Sequence, residues 1–129
     1  MRVLIADDHE MVRNATRRIL ESRADIQCIE AGNGEEAVEK ALELKPDLII
    51  LDISMPTIDG FDAAREIKRH LPDIPILFFS IYDDAEYLET ARSLGEGVVL
   101  KEEAATMLLK AVDALLQRQT FFPNTGTSE

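Results

Sequence analysis

The chain has 129 residues, 46% hydrophobic and 30% charged, with a formal net charge of -11. That length predicts one domain around one substantial core. So acidic a balance excludes nucleic-acid binding by this domain through general electrostatics, since neutralising phosphates takes clustered Lys and Arg, and it disfavours an anionic membrane surface. No run of about 18 apolar residues offers a membrane span. The chain enters a strand within two residues, so no signal peptide is expected. Cys28 has no second cysteine to pair with, and a cytoplasmic protein fits that composition.

The first strand is predicted at 2–6, where Val3-Leu4-Ile5-Ala6 runs into Asp7-Asp8. A first helix follows near 10–22, with Val12, Ala15 and Ile19 facing in. Its Arg13, Arg17 and Arg18 read as a solvated face, or as a docking contact beside the acids. After a strand near 26–30, Asn33 with Glu36 three residues on resembles a capping box. The helix it opens, near 34–45, places Ala37, Ala41 and Leu44 on one face. The third strand, near 47–52, ends in Asp52. Asp59 caps a helix near 60–70 whose inner face is Phe61, Ala64, Ile67 and Leu71. A strand near 74–79 ends at Ser80. Asp83 or Asp84 caps the next helix, near 84–94, with Ala85, Leu88 and Ala91 inward. Gly95-Glu96-Gly97 reads as a more mobile loop before the strand at 97–100, which ends at Lys101. The last helix, near 102–118, is apolar over more than one face (Met107, Leu108, Leu109, Val112, Leu115 and Leu116). That width suits a homodimer or another partner as well as packing. Residues 119–129 are polar and turn-rich apart from Phe121 and Phe122, and are read as a flexible tail.

Uninterrupted apolar strands are the signature of a sheet covered on both faces. Five strand–helix units therefore predict an α/β fold, a three-layer α/β/α sandwich on a five-stranded parallel sheet with five helices. The strand order 2-1-3-4-5 is borrowed from known doubly wound sheets of the flavodoxin-like kind, not deduced from these residues. It brings Asp7-Asp8 and Asp52 together where strands 1 and 3 meet. Lys101 then approaches across strand 4.

Such a cluster suits phosphoryl transfer to a carboxylate, which needs a nucleophile, a bridging cation and donors for the equatorial oxygens. Asp52 is the candidate nucleophile. Asp8 and Asp52 can ligate Mg²⁺ directly, with Asp7 acting through water and the backbone carbonyl of Ser54 completing the shell. Lys101 supplies a point charge to one phosphoryl oxygen and Ser80 a hydroxyl to another. Taken singly, each has a plainer reading: a helix cap for Asp7 or Asp8, a turn residue for Ser80, a solvated terminus for Lys101. Joint placement at four strand ends is what argues for a site.

Asp52-Ile53-Ser54-Met55-Pro56-Thr57-Ile58-Asp59-Gly60, together with Leu4-Ile5-Ala6-Asp7-Asp8-His9, resembles the receiver domain of bacterial two-component response regulators. The Asp-Asp-His form, with Phe78-Phe79-Ser80-Ile81-Tyr82-Asp83-Asp84, is similar to the nitrate-regulator-type subgroup. The likeness spans residues 1–118, with 119–129 as tail or linker. It implies a phosphoacceptor domain and not a turnover enzyme. On this likeness Asp52 is the acceptor, Asp7 and Asp8 the Mg²⁺ acids, Ser80 the switch hydroxyl and Lys101 the phosphate-binding lysine. It implies a sensor histidine kinase as donor. It also implies switching at the surface of helix 4, strand 5 and helix 5, where a homodimer or output partner would bind. One departure stands out: Val98 occupies the switch position where the family usually carries Tyr or Phe. A pseudo-receiver acting as a phosphorylation-independent interaction domain therefore stays open. So does a small metal-dependent phosphatase, though no separate base or lid is evident. Many relatives carry a DNA-binding domain after the receiver, and Phe121-Phe122-Pro123 looks like the start of such a linker.

Overall fold

The computed structural model describes residues 1–123. Its elements run β1 (Arg2–Ala6), α1 (Glu10–Glu21), β2 (Gln27–Ala31), α2 (Gly34–Leu44), β3 (Leu48–Asp52), α3 (Gly60–His70), β4 (Ile76–Ser80), α4 (Ala85–Leu94), β5 (Gly97–Leu100), a short 3-10 turn (Lys101–Glu103) and α5 (Ala104–Leu116). The strands form one parallel sheet of order β2-β1-β3-β4-β5, as expected of a receiver-like doubly wound fold.

Alternation along each strand divides the core between the two faces of the sheet. Leu4, Ala6, Ile49, Leu51, Ile76, Phe78 and Val98 pack with Ala37, Ala41, Ala64, Ile67, Leu88 and Ala91 of α2, α3 and α4. Val3, Ile5, Leu48, Ile50, Leu77, Phe79 and Val99 pack with Leu20, Leu108, Ala111, Val112 and Leu115 of α1 and α5. Every residue of β3 and β4 is buried, which suits their central places in the sheet.

Two helix faces differ from the sequence expectation. In α1 the buried residues are Thr16 and Leu20, while Ala15 is exposed. Thr16 can be buried because its hydroxyl donates to the Val12 carbonyl at 2.8 Å, so no polar group is left unpaired. In α4, Leu88 and Ala91 are buried but Ala85, in the opening turn, is exposed. The caps follow the reading more closely. Asn33 and Asp59 accept from the Glu36 and Asp62 amides, each at 2.8 Å. The Glu36 carboxylate reaches back to the Gly32 amide at 2.7 Å, one residue earlier than a standard capping box. Asp84 holds the N-cap position of α4 without a side-chain bond.

The loop before β5 is tightly packed. Glu96 accepts from the Ile76 amide at 2.8 Å and pairs with Lys68 of α3 at 2.8 Å. A Cβ on Gly97 would lie 2.8 Å from the Phe121 carbonyl oxygen and 2.9 Å from a Leu77 methyl, so a side chain there is excluded by close approach. Phe121 is nearby because the chain reverses after α5. Arg118 adopts a left-handed conformation (φ 63°), and the Gln119 amide donates to the Ala114 carbonyl at 2.9 Å. Phe121 then pairs with Gly97 as a parallel bridge. Of the segment read as a flexible tail, residues up to Pro123 return along the β5 edge; residues 124–129 lie outside the described residues.

Cys28 is buried on β2, and burial first, then the charge of Glu21, pushes its thiol up to about 12. Since only the thiolate attacks, Cys28 should resist a disulfide reagent in the native protein near pH 8 and titrate fully once the chain is unfolded. Rapid native-state reaction would show that the β2 edge opens readily.

Candidate functional site

The C-terminal ends of β1, β3, β4 and β5 lie side by side, and the sequence places a polar residue at or just beyond each. Asp7 follows β1. It is buried, and its amide donates to the Ala31 carbonyl at 3.1 Å, which continues the sheet pairing one step past the strand. One of its carboxylate oxygens accepts from the His9 amide at 2.9 Å, fixing the turn into α1. Asp8 and His9 are exposed beside it, with His9 Nδ1 at 3.2 Å from Asp8 Oδ1 and 3.4 Å from Asp7 Oδ1.

Asp52 closes β3 and is 4% exposed. The Ser54 amide donates to its Oδ1 at 3.3 Å. The loop that follows is drawn tight: the Gly60 amide donates to the Ile53 carbonyl at 2.7 Å, and a Cβ at position 60 would collide with the Asp52 carbonyl oxygen. Glycine after the Asp59 cap thus lets α3 start directly against the end of β3.

Lys101 reaches across β4 to both buried carboxylates. Its Nζ donates to Asp7 Oδ2 at 2.9 Å and lies 3.3 Å from Asp52 Oδ2. Burial disfavours its charge, yet the bonds and charges of Asp7 and Asp52 prevail and raise its pKa. One ammonium serves two buried carboxylates, and the imbalance falls on Asp52. Burial, then the charge of Asp7, raises its carboxyl to about 6, with Lys101 and the Ser54 amide pulling the other way.

The structure therefore brings Asp7, Asp8, Asp52 and Lys101 into one cluster, with His9 beside them. Ligand atoms from Asp7, Asp8, His9 and Asp52 all lie within 4.8 Å of one another. Hard carboxylate oxygens carrying unbalanced negative charge suit a divalent cation, so the residues present fit such a metal. A cavity of about 610 Å³ opens beside the cluster, lined among others by Asp8, Ser54, Met55, Asp59 and Tyr87.

Ser80 and Val98 are placed differently. Ser80 is buried at the end of β4, but both its hydrogen bonds go to Tyr82: Oγ donates to the carbonyl at 3.0 Å and accepts from the amide at 2.7 Å. Val98 is buried beside Phe78 in the core under α4. Tyr82 is a site neighbour that sequence reasoning misses, because nothing in strand or helix periodicity marks a residue in the β4–α4 loop. Its ring stacks on Tyr87 (centroids 4.5 Å apart, planes at 9°), and its hydroxyl lies 3.5 Å from Ser54 Oγ. Two of the three arginines of α1 are likewise engaged, while Arg18 is exposed: Arg13 and Arg17 both pair with Glu30, at 2.9 and 2.6 Å, and Arg13 also donates to the Asp7 carbonyl at 2.7 Å. This backs the β1–α1 turn with a fixed guanidinium.

The profile of the family described as response regulator receiver domain matches residues 3–113. The transcriptional regulatory protein DegU of Brevibacillus brevis is 35% identical over 119 residues, covering 91% of this chain and 50% of that protein. The oxygen regulatory protein NreC of Staphylococcus epidermidis is 38% identical, covering 94% of this chain and 57% of that protein. This chain thus spans about half the length of the curated relatives it matches. Among solved structures, the non-phosphorylated receiver domain of the stress response regulator RcsB from Escherichia coli superposes with a TM-score of 0.88 at 32% identity, covering 96% of this chain and 98% of that one. Regulators of several kinds are among these relatives, so the likeness shows the receiver and not one subgroup of it.

Proposed function

This chain belongs to the response regulator receiver domain family, and from that premise we propose that Asp52 is the carboxylate that takes the phosphoryl group. One observation carries the assignment: Asp52 is a buried carboxylate at the end of β3, held with Asp7 by the ammonium of Lys101. The chemistry is a displacement. An Asp52 carboxylate oxygen attacks phosphorus, the bond from phosphorus to the donor imidazole of a sensor histidine kinase breaks, and the histidine leaves with its electron pair. Acidic residues at the site repel a phosphoryl group, so something must offset them. Mg²⁺, held by Asp8 and Asp52 with Asp7 through water and the Ser54 carbonyl, would supply that charge when bound. Lys101 holds Asp52 in place before transfer, and its ammonium is close enough to take a phosphoryl oxygen afterwards. Ser80, one residue along from the Phe79 that pairs with Asp52, offers a hydroxyl for another oxygen once it leaves Tyr82.

The finer readings rest on this chain's own residues. Asp7-Asp8-His9 with Phe78-Phe79-Ser80 supports the nitrate-regulator-type likeness. The acidic charge and the lack, among the described residues, of a helix long and apolar enough to cross a membrane support cytoplasmic signalling. The greater length of the relatives supports reading 1–118 as the receiver and the residues after it as linker. A homodimer or output partner would use α4, β5 and α5. The competing reading, a pseudo-receiver, draws on Val98 and on the tie between Ser80 and Tyr82.

The test is Mg²⁺-dependent labelling by acetyl phosphate. We expect a mass gain of one phosphoryl group on the peptide carrying Asp52, lost when Mg²⁺ is chelated. Labelling on another residue would overturn the assignment. Beryllofluoride with Mg²⁺ that binds yet leaves the α4 and β5 amide spectra unchanged would favour the pseudo-receiver.

A further inference from the structure

We propose that Gln119–Pro123 is a strap that clamps α4 to the β5 edge, and that loss of the Ser80–Tyr82 bonds releases it. The coupling rests on the phosphoacceptor reading above; the strap itself does not. β5 is an edge strand of the sheet, with unpaired backbone groups facing outward. The strap takes one of them and the carbonyl just before the strand: the Val98 amide donates to the Phe121 carbonyl at 2.8 Å, and the Phe121 amide donates to the Glu96 carbonyl at 2.9 Å. The bare Gly97 between them is what allows this approach. Glu96 is itself anchored to Lys68 and to the Ile76 amide, so the strap pairs with a rigid edge.

The next residue reaches the helix. The Phe122 ring lies under the Arg92 guanidinium of α4, 4.8 Å from it, and packs against the core cluster that contains Leu88, Ala91 and Val98. The strap is thus fixed to β5 by its backbone and to α4 by one ring. Between strap, α4 and α5 lies a cavity of about 550 Å³, lined among others by Leu88, Val98, Met107 and Phe122 and reaching Asp83 in the β4–α4 loop. This gives α4 room to move.

That loop is also where Ser80 acts. Both hydrogen bonds of its hydroxyl hold the Tyr82 backbone, and the Tyr82 ring stacks on Tyr87 of α4. If Ser80 turns to a phosphoryl oxygen on Asp52, both bonds break together. Loop and α4 then move as a unit through the stacked rings, Arg92 leaves Phe122, and the strap loses its hold on the helix. The β5 edge and the apolar surface under Phe122 become exposed.

Amide hydrogen exchange on the full chain tests this. In the untreated protein the Val98 and Phe121 amides should be protected. With Mg²⁺ and beryllofluoride their exchange should quicken by about tenfold, in the range of ordinary allosteric coupling. Phe122→Ala, or Arg92→Gln as a milder variant, should give the same acceleration without beryllofluoride. By reciprocity, either variant should bind beryllofluoride more tightly, by about fivefold. Fast exchange at Val98 in the untreated protein would overturn the strap. Unchanged protection while the Ser54 amide beside Asp52 shifts would overturn the coupling. A Ser54 amide that never responds would remove the phosphoacceptor reading, and the coupling with it, but not the strap.

Discussion

Asp52→Asn is expected to abolish labelling by acetyl phosphate and, in metal-free buffer near pH 8, to stabilise the fold by about 1–3 kcal/mol. The two effects have one cause. The folded protein raises the Asp52 carboxyl from its ordinary 3.8 to about 6, through burial first and the charge of Asp7 second. A raised carboxyl binds its proton more tightly folded than unfolded. Its contribution is therefore fully present below about pH 4, is lost as pH rises toward 6, and stays lost above that. A carboxyl moved that far costs about 3 kcal/mol when ionised, an upper bound because Asn keeps the shape but not the bond to Lys101. Denaturant unfolding at about pH 4.5, 6 and 8 checks it. The native protein should lose stability across that window relative to Asp52→Asn; parallel curves would mean that Asp52 carries no such strain. Adding Mg²⁺ at the upper pH should narrow the gap, because a cation at the cluster favours the ionised carboxylate.

Lys101→Met should do the opposite to stability. Removing the ammonium leaves Asp7 and Asp52 buried and facing each other without their shared partner. Breaking a buried pair from one side typically costs about 3–5 kcal/mol. The loss should be largest well above pH 6, where Asp52 is ionised, and should shrink on acidification as Asp52 takes a proton. Adding Asp52→Asn to Lys101→Met should restore part of the stability, since the repulsion between two orphaned carboxylates is then gone and only Asp7 remains without its partner; a purely additive double variant would refute the electrostatic account. Labelling should fall by about 10²-fold or more in Lys101→Met, the usual consequence of removing one donor from a charge-stabilising site. Labelling that survives at the native rate would remove Lys101 from the transfer step.

Much of this site is legible in the residues alone. Short apolar runs ending in Asp7, Asp52, Ser80 and Lys101 suit strands buried on both faces, with polar residues where the strands give way to loops. The Asp59-Gly60 pair declares the start of α3. Other features escape such a reading because their physics is not periodic. Thr16 looks too polar for a core, yet a hydroxyl bonded to its own helix is at home there. Gly95-Glu96-Gly97 suggests mobility, whereas Gly97 is bare because Phe121 lies against it. Arg13 and Arg17 look like a solvated face, though Glu30 from the neighbouring strand gathers both.

The amino-acid order by itself determined which residues could carry the chemistry and how many strand–helix units would frame them, because local periodicity and capping are properties of neighbours in the chain. Tertiary structure alone decided the rest. Asp7 and Asp52, far apart in the chain, meet at Lys101 only because the strand order makes β1 and β3 neighbours and sets β5 just beyond β4. That encounter, and the low dielectric around it, raises Asp52 above an ordinary aspartate. The tie of Ser80 to Tyr82 and the return of Phe121 along β5 belong to the same class: contacts made by loops and a reversed terminus, which no repeat of about 2 or 3.6 residues announces.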